Sequence, residues 1–317
     1  MQELQKAFKA LRQKLEELEK RRQARGESLQ NAITVREELY KAIEQNAIVI
    51  TGAQSLLSSY STLAYTPPIG RYIHLPVDQR ERYRIIQAMR APKMRDATTF
   101  LLARCHFLDL GRQYRQVESM ETNDGGRMSI FWDVTKFERK DLTVLEVFNA
   151  MLFFMSVQEI VLSEKLGPLF IRESDVTPDH ALEAEQVRIL SAHDDGLCSE
   201  KNLVVHSQYV SHDEILRQAR GILTVDFVDH DDVFPYRPQS RIRKDMTSAS
   251  LVIATAPDVV SIVRWAVMKI HPSVLATSDR LDKMAHHGAG SYFDTMVNVI
   301  KEQTELPEKT ISTGRDF

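Results

Sequence analysis

Three groups of side chains in this sequence carry donors that could do chemistry. Asp229-His230-Asp231-Asp232 gathers carboxylates and an imidazole of the kind that hold hard cations. It lacks the spaced ligands and central glycine of a calcium loop, so it reads as a solvated turn between strands. His286 and His287 are adjacent, and on a helix they point to different faces. Cys105 and His106 are also sequence neighbours, whereas a nucleophile and its base must meet in space. Cys105 therefore reads as a buried structural thiol. The chain has no G-x-S-x-G elbow, no G-x-G-x-x-G and no Walker pattern. The expectation is a non-enzyme with no metal site and no cofactor.

Two basic clusters remain, Lys20–Arg25 and the set Arg237, Arg241, Arg243 and Lys244. Either could meet phosphates or an acidic partner. The first reads as a solvated helix face and the second as a soluble loop.

The frame that must position any site is an ordinary globular one. The chain has 317 residues, 43% hydrophobic and 27% charged, which excludes a wholly disordered chain. Forty-one basic and forty-four acidic residues give a net charge of −3, so nucleic acid could be drawn only by a local patch. Two cysteines, Cys105 and Cys198, make no disulfide framework or zinc spacing and suit a reducing compartment, cytoplasmic or nuclear. The opening Met-Gln-Glu-Leu-Gln-Lys is polar, unlike a secretory signal. Val144–Leu162 is the most apolar stretch, but Glu146, Asn149, Gln158 and Glu159 interrupt it, and it reads as a buried helix rather than a membrane span.

Leu4, Phe8, Leu11, Leu15 and Leu18 follow a 4-3-4-3 spacing, and Leu29, Ala32, Leu39 and Ile43 continue it, with Arg36 at a seam position. Residues 1–52 are therefore expected to form a coiled-coil or amphipathic helix, able to self-associate or to bind a partner helix. Serines and prolines at 53–77 predict a linker. From 78 the pattern gives a helix capped by Asp78 and Glu81 and ended or kinked at Pro92, then helical character to Phe107. A hairpin follows, Arg112–Ser119 and Met128–Phe137 around Asn123-Asp124-Gly125-Gly126. A helix capped at Asp141 or Thr143 runs to Leu166. Five strands come next: Glu185–His193, Leu203–Val210, Arg220–Val228, Asp245–Thr255 and Val259–Met268. A closing helix spans Leu281–Lys301, with Gly288 and Gly290 as weak points, and residues 305–317 form a polar tail.

Each strand shows one apolar face, which predicts an antiparallel sheet covered on one side. Runs of strands with helices at fixed points argue for an α+β fold. A bent sheet gripping the closing helix would enclose an interior. The side chains expected to line it are Ile130, Trp132, Tyr209, Phe227, Ile253, Trp265 and Met296. An apolar interior with few polar tips suits a small ligand.

This order resembles the START-like, or helix-grip, superfamily over residues 78–304. With the upstream heptads, Phe131-Trp132-Asp133-Val134 and Thr224-Val225-Asp226-Phe227-Val228-Asp229, it is similar to the START-like proteins expanded in oomycetes, which often follow a bZIP-like or coiled-coil segment. A bZIP needs a basic helix before its heptads, where Met1 stands here, so DNA binding is not expected without an upstream basic region. The resemblance implies a non-enzymatic module for a lipid-like or other apolar small molecule, with dimerisation through the N-terminal helix. The alternative is a coiled-coil interaction or regulator-like protein whose START-like region holds no ligand.

Overall fold

A computed structural model describes residues 67–105, 108–174, 183–193 and 195–305, with Lys14, 34–36, 38–39 and 41–42. The chain divides into two units, Met1–Leu57 and Ser58–Phe317. In the first, the described positions are helical, and Leu39 of the second seam is exposed. Leu4, Phe8, Leu11, Leu15, Leu18 and the Lys20–Arg25 cluster lie outside the described residues.

The second unit is built in the order β1 (His74–Leu75), α1 (Gln79–Cys105), β2 (Tyr114–Glu121), β3 (Arg127–Glu138), α2 (Val144–Leu166), β4 (Leu169–Ser174), β5 (Ala184–Ala192), β6 (Cys198–Val210), β7 (Arg220–Phe227), β8 (His230–Asp231), β9 (Ile242–Ala256), β10 (Val259–Ile270) and α3 (Ser278–Glu305). Eight strands form one sheet in the order β2-β3-β10-β9-β7-β6-β5-β4, and every neighbouring pair is antiparallel. With α3 packed on one face, this is the expected α+β helix-grip fold. The strand Leu169–Ser174 is an edge that the sequence reading did not separate from the stop after α2.

Local chemistry sets the element ends. Asp78 Oδ1 accepts from Glu81 N–H at 2.8 Å and caps α1. Thr143 and Glu146 form a full capping box on α2. The hairpin between β2 and β3 turns at Gly125, whose φ of 81° favours glycine. Pro92 neither ends α1 nor divides it, contrary to expectation. The lost N–H bond is offset by burial of Met94, Ala97 and Leu101 against the sheet after it. Likewise α3 runs on through Gly288 and Gly290.

The sheet is covered on both faces, which corrects the one-sided picture. On the gripped face, Phe131, Leu203, Val205, Leu223, Val225 and Ile262 pack against α2 and α3. On the outer face, Met94, Ala97 and Leu101 of α1 cover Trp132, Val134, Leu251 and Trp265. Part of the expected linker belongs to this layer: Ile69, Ile73 and Leu75 are buried there.

Buried polar contacts fix α1 on the outer face. Arg82 makes two bonds to Asp231, of 2.8 and 3.0 Å, and Asn202 donates to the same carboxylate at 2.7 Å. Burial works to raise the Asp231 carboxyl, and hydrogen bonds from Arg82, Phe234 N–H and Asn202 outweigh it, leaving it at about 2. Asp231 is therefore not part of a solvated turn, as its acidic run suggested. Lys93 Nζ reaches Asp226 Oδ2 at 2.5 Å, and His206 Nε2 lies 2.9 Å from the Ile86 carbonyl. Burial pushes His206 down to about 4, so it is neutral at physiological pH.

Candidate ligand cavity

A cavity of about 440 Å³ lies between α3, the C-terminal end of α2, and strands β4, β5, β6, β9 and β10. Its apolar wall is formed by Leu166, Phe170, Ile189, Met268, Met284 and Tyr292. Tyr292 is held by an edge contact with Phe154, centroids 5.4 Å apart, and its hydroxyl donates to Gln158 Oε1 at 3.0 Å. Burial pushes the Tyr292 phenol well above its ordinary range, so it stays protonated.

The other wall is cationic. Lys201 and Lys244 reach it from β6 and β9, and Arg280 from the first turn of α3. Lys165 and Lys283 are exposed at its rim. Among the described residues lining the cavity there is no aspartate or glutamate.

Sheet geometry explains the two lysines. Where β7 ends, β6 and β9 pair directly, Ser199 with Ile242 and Glu200 with Arg243. Lys201 and Lys244 are the next residues along. Strand alternation turns them to the gripped face with Leu203 and Val205 on β6, and with Ile242 and Met246 on β9. Lys244 is only 9% exposed. Neither lysine makes a hydrogen bond or ion pair among the described residues; Lys201 Nζ sits 5.8 Å from the Tyr292 ring centroid. Burial pushes Lys201 down to about 8. Burial, with the charges of Lys201 and Arg280, pushes Lys244 down to about 7. Arg280 pairs with the half-exposed Asp195 at 2.8 Å, while its buried Nε has no partner.

None of the seven residues expected to line the interior lines this cavity. Ile130, Trp132, Ile253 and Trp265 lie on the opposite face, under α1. Tyr209, Phe227 and Met296 do lie on the gripped side, in filled parts of its core. Tyr209 packs on Phe148 of α2 at 6.1 Å between centroids. Met296 Sδ lies 3.8 Å from Arg264 Nη1. The physical reason is that β3, β9 and β10 are apolar on both faces and turn the face bearing Trp132, Ile253 and Trp265 outward, under α1. Inward they carry Asp133 and Arg264, joined by bonds of 2.8 and 2.5 Å beneath the Phe293 ring.

Lys201 and Lys244 were missed because lysine in a strand ordinarily reads as solvated. The available signal was parity: Lys201 alternates in step with Leu203 and Val205, and Lys244 with Ile242 and Met246. Lys244 lies within β9, not in the soluble loop its basic run suggests. Its neighbour Arg243 is also structural, stacked 3.8 Å from the Tyr236 ring centroid and bonded to Asp245 at 2.7 Å.

The remaining candidates resolve simply. Cys105 is buried, and burial pushes its thiol up to about 12, which suits an inert core residue. His74, His230 and Asp232 come together on the surface, and Asp232 Oδ1 lies 3.1 Å from Nε2 of each histidine. They clasp β1 to β8. His106 and the side chains of His286 and His287 lie outside the described residues. By length and composition α2 could cross a membrane, but in the fold Val147, Met151 and Phe154 are buried in the core.

No family model matches the chain, and no curated protein matches it. Solved structures similar to it include human STARD10, with 11% identity over 74% of this chain and 84% of that chain, TM-score 0.41. The lipid transfer and protein localization domain of human StarD13 is 10% identical over 61% of this chain and 91% of its own, TM-score 0.35. Norcoclaurine synthase from Thalictrum flavum is 8% identical over 62% of this chain and 89% of its own, TM-score 0.29. These likenesses concern the fold alone.

Proposed function

We propose that this protein is a binding module for a small molecule with a substantial apolar body, held between α3 and the sheet, and that it acts by sequestering or carrying that molecule rather than by transforming it. The observation that carries the reading is the cavity itself. Interiors are ordinarily close-packed, and 440 Å³ of space walled by Leu166, Phe170, Ile189, Met268 and Met284 lies within the range of small-molecule sites. Beside it Phe131 packs edge-on against Phe293, and the space these two line with Met246 is only about 10 Å³.

The test is titration of the delipidated chain with Nile red, a neutral apolar dye. Saturable binding is expected at one site per chain. Met284→Trp, which fills the cavity from α3, is expected to weaken it at least about tenfold, or 1.4 kcal/mol. Non-saturable binding, or binding that Met284→Trp leaves unchanged, would reject the cavity as the site.

A further inference from the structure

We propose that the cavity selects an amphipathic anion, an apolar chain or ring system ending in a carboxylate or phosphate, with the anionic group seated between Lys201, Lys244 and Arg280. The inference rests on the binding reading above and adds the chemistry of the ligand's head.

The arrangement is asymmetric. Cations from three separate elements, β6, β9 and α3, converge on one side of the space, while the apolar residues from α2, β4, β5, β10 and α3 form the other. A buried cation normally has a carboxylate beside it. That rule is kept elsewhere in this protein: Lys93 faces Asp226, Arg82 faces Asp231, Arg264 faces Asp133 and Arg188 faces Glu200. Buried Lys244 and half-buried Lys201, on neighbouring strands at the cavity wall, break it together. Among the described residues, Arg280 pairs with Asp195, which is half exposed and does not line the cavity. The Arg280 Nε, buried and without a partner, is a further donor. An oxyanion entering here would supply the missing counter-charge and accept from several donors at once. A neutral ligand would supply no counter-charge to either lysine.

A carboxylate and a phosphate share this chemistry, and the test separates them, and separates both from the tail. Binding is measured by calorimetry for dodecanoate, dodecyl phosphate, dodecanol and inorganic phosphate, with the full chain and with Lys244→Met and Lys201→Met. Dodecanoate or dodecyl phosphate is expected to bind at least about tenfold more tightly than dodecanol. Whichever binds tighter names the head, and inorganic phosphate alone is expected to bind more weakly than either. Each lysine variant is expected to bring the anion's affinity down to that of the alcohol, and Lys244→Arg to retain part of the preference. Equal affinity of alcohol and anions in the wild type would overturn the anion site while leaving the binding reading intact. Inorganic phosphate binding with no alkyl probe binding would overturn the amphipathic ligand and the binding reading with it. An anion preference that survives both lysine variants would overturn the assignment to these residues.

Discussion

Lys244 bears a cost that the fold does not need. Its ordinary value near 10.5 falls to about 7 in the folded chain, first through burial and then through Lys201 and Arg280. Below about pH 7 the folded protein carries the charge at full penalty. Above about pH 7 the folded chain releases the proton that the unfolded chain still holds, so the penalty shrinks as pH rises and is gone near 10.5, where the unfolded chain releases it too. Lys244→Met should therefore stabilise the protein by about 1–3 kcal/mol at pH 6–7, with the gain shrinking toward pH 10. Urea titrations across that range check it, and a loss of stability at pH 7 would contradict the account. A residue that weakens the fold while facing a cavity is the usual signature of a site rather than a strut. The same residue shows where a sequence reading stops. Composition and motif search pass over a lone lysine in a basic run. Only its parity with Ile242 and Met246, once β9 is known to begin there, turns it inward.

At the scale of elements, the tightest constraint is where α2 crosses β7. A Cβ added at Gly221 would lie 2.3 Å from the Phe148 ring. Gly221→Ala is expected to cost about 1–3 kcal/mol through this overlap. Adding Phe148→Leu should return part of that loss, a non-additivity that reports the contact directly. Full additivity in thermal melts would place the strain elsewhere. Helix and turn signals at this scale were plain in the sequence: the Thr143 box, the Asn123–Gly126 turn and the apolar stripe of α3 all stand where the residues put them. Strand faces were legible in β6 and β7, whose apolar residues do look toward α3. They were inverted in β3, β9 and β10. Because α1 also covers the sheet, these strands are apolar on both faces, and alternation alone does not say which face is gripped.

For the whole molecule, the decisive feature is a sheet with two unlike sides. The outer side under α1 is locked by the buried pairs Arg82–Asp231 and Lys93–Asp226, and it holds both tryptophans. The gripped side holds the larger apolar cluster, is braced by Arg264–Asp133, and is left open at the β4–β6 end where the cationic wall stands. Element order alone pointed to the grip, because a meander closed by a long helix has few other ways to bury its strands. It could not say where along the grip space would remain, since that depends on which large side chains fill the rest. Photo-crosslinking with a diazirine-bearing alkyl carboxylate, followed by peptide mapping, locates the bound molecule most directly. Labelling is expected in Lys165–Phe170, around Met268 and along Arg280–Tyr292, and should be competed by dodecanoate. Competed labelling that falls instead on α1 or on the Trp132 and Trp265 segments would contradict the account.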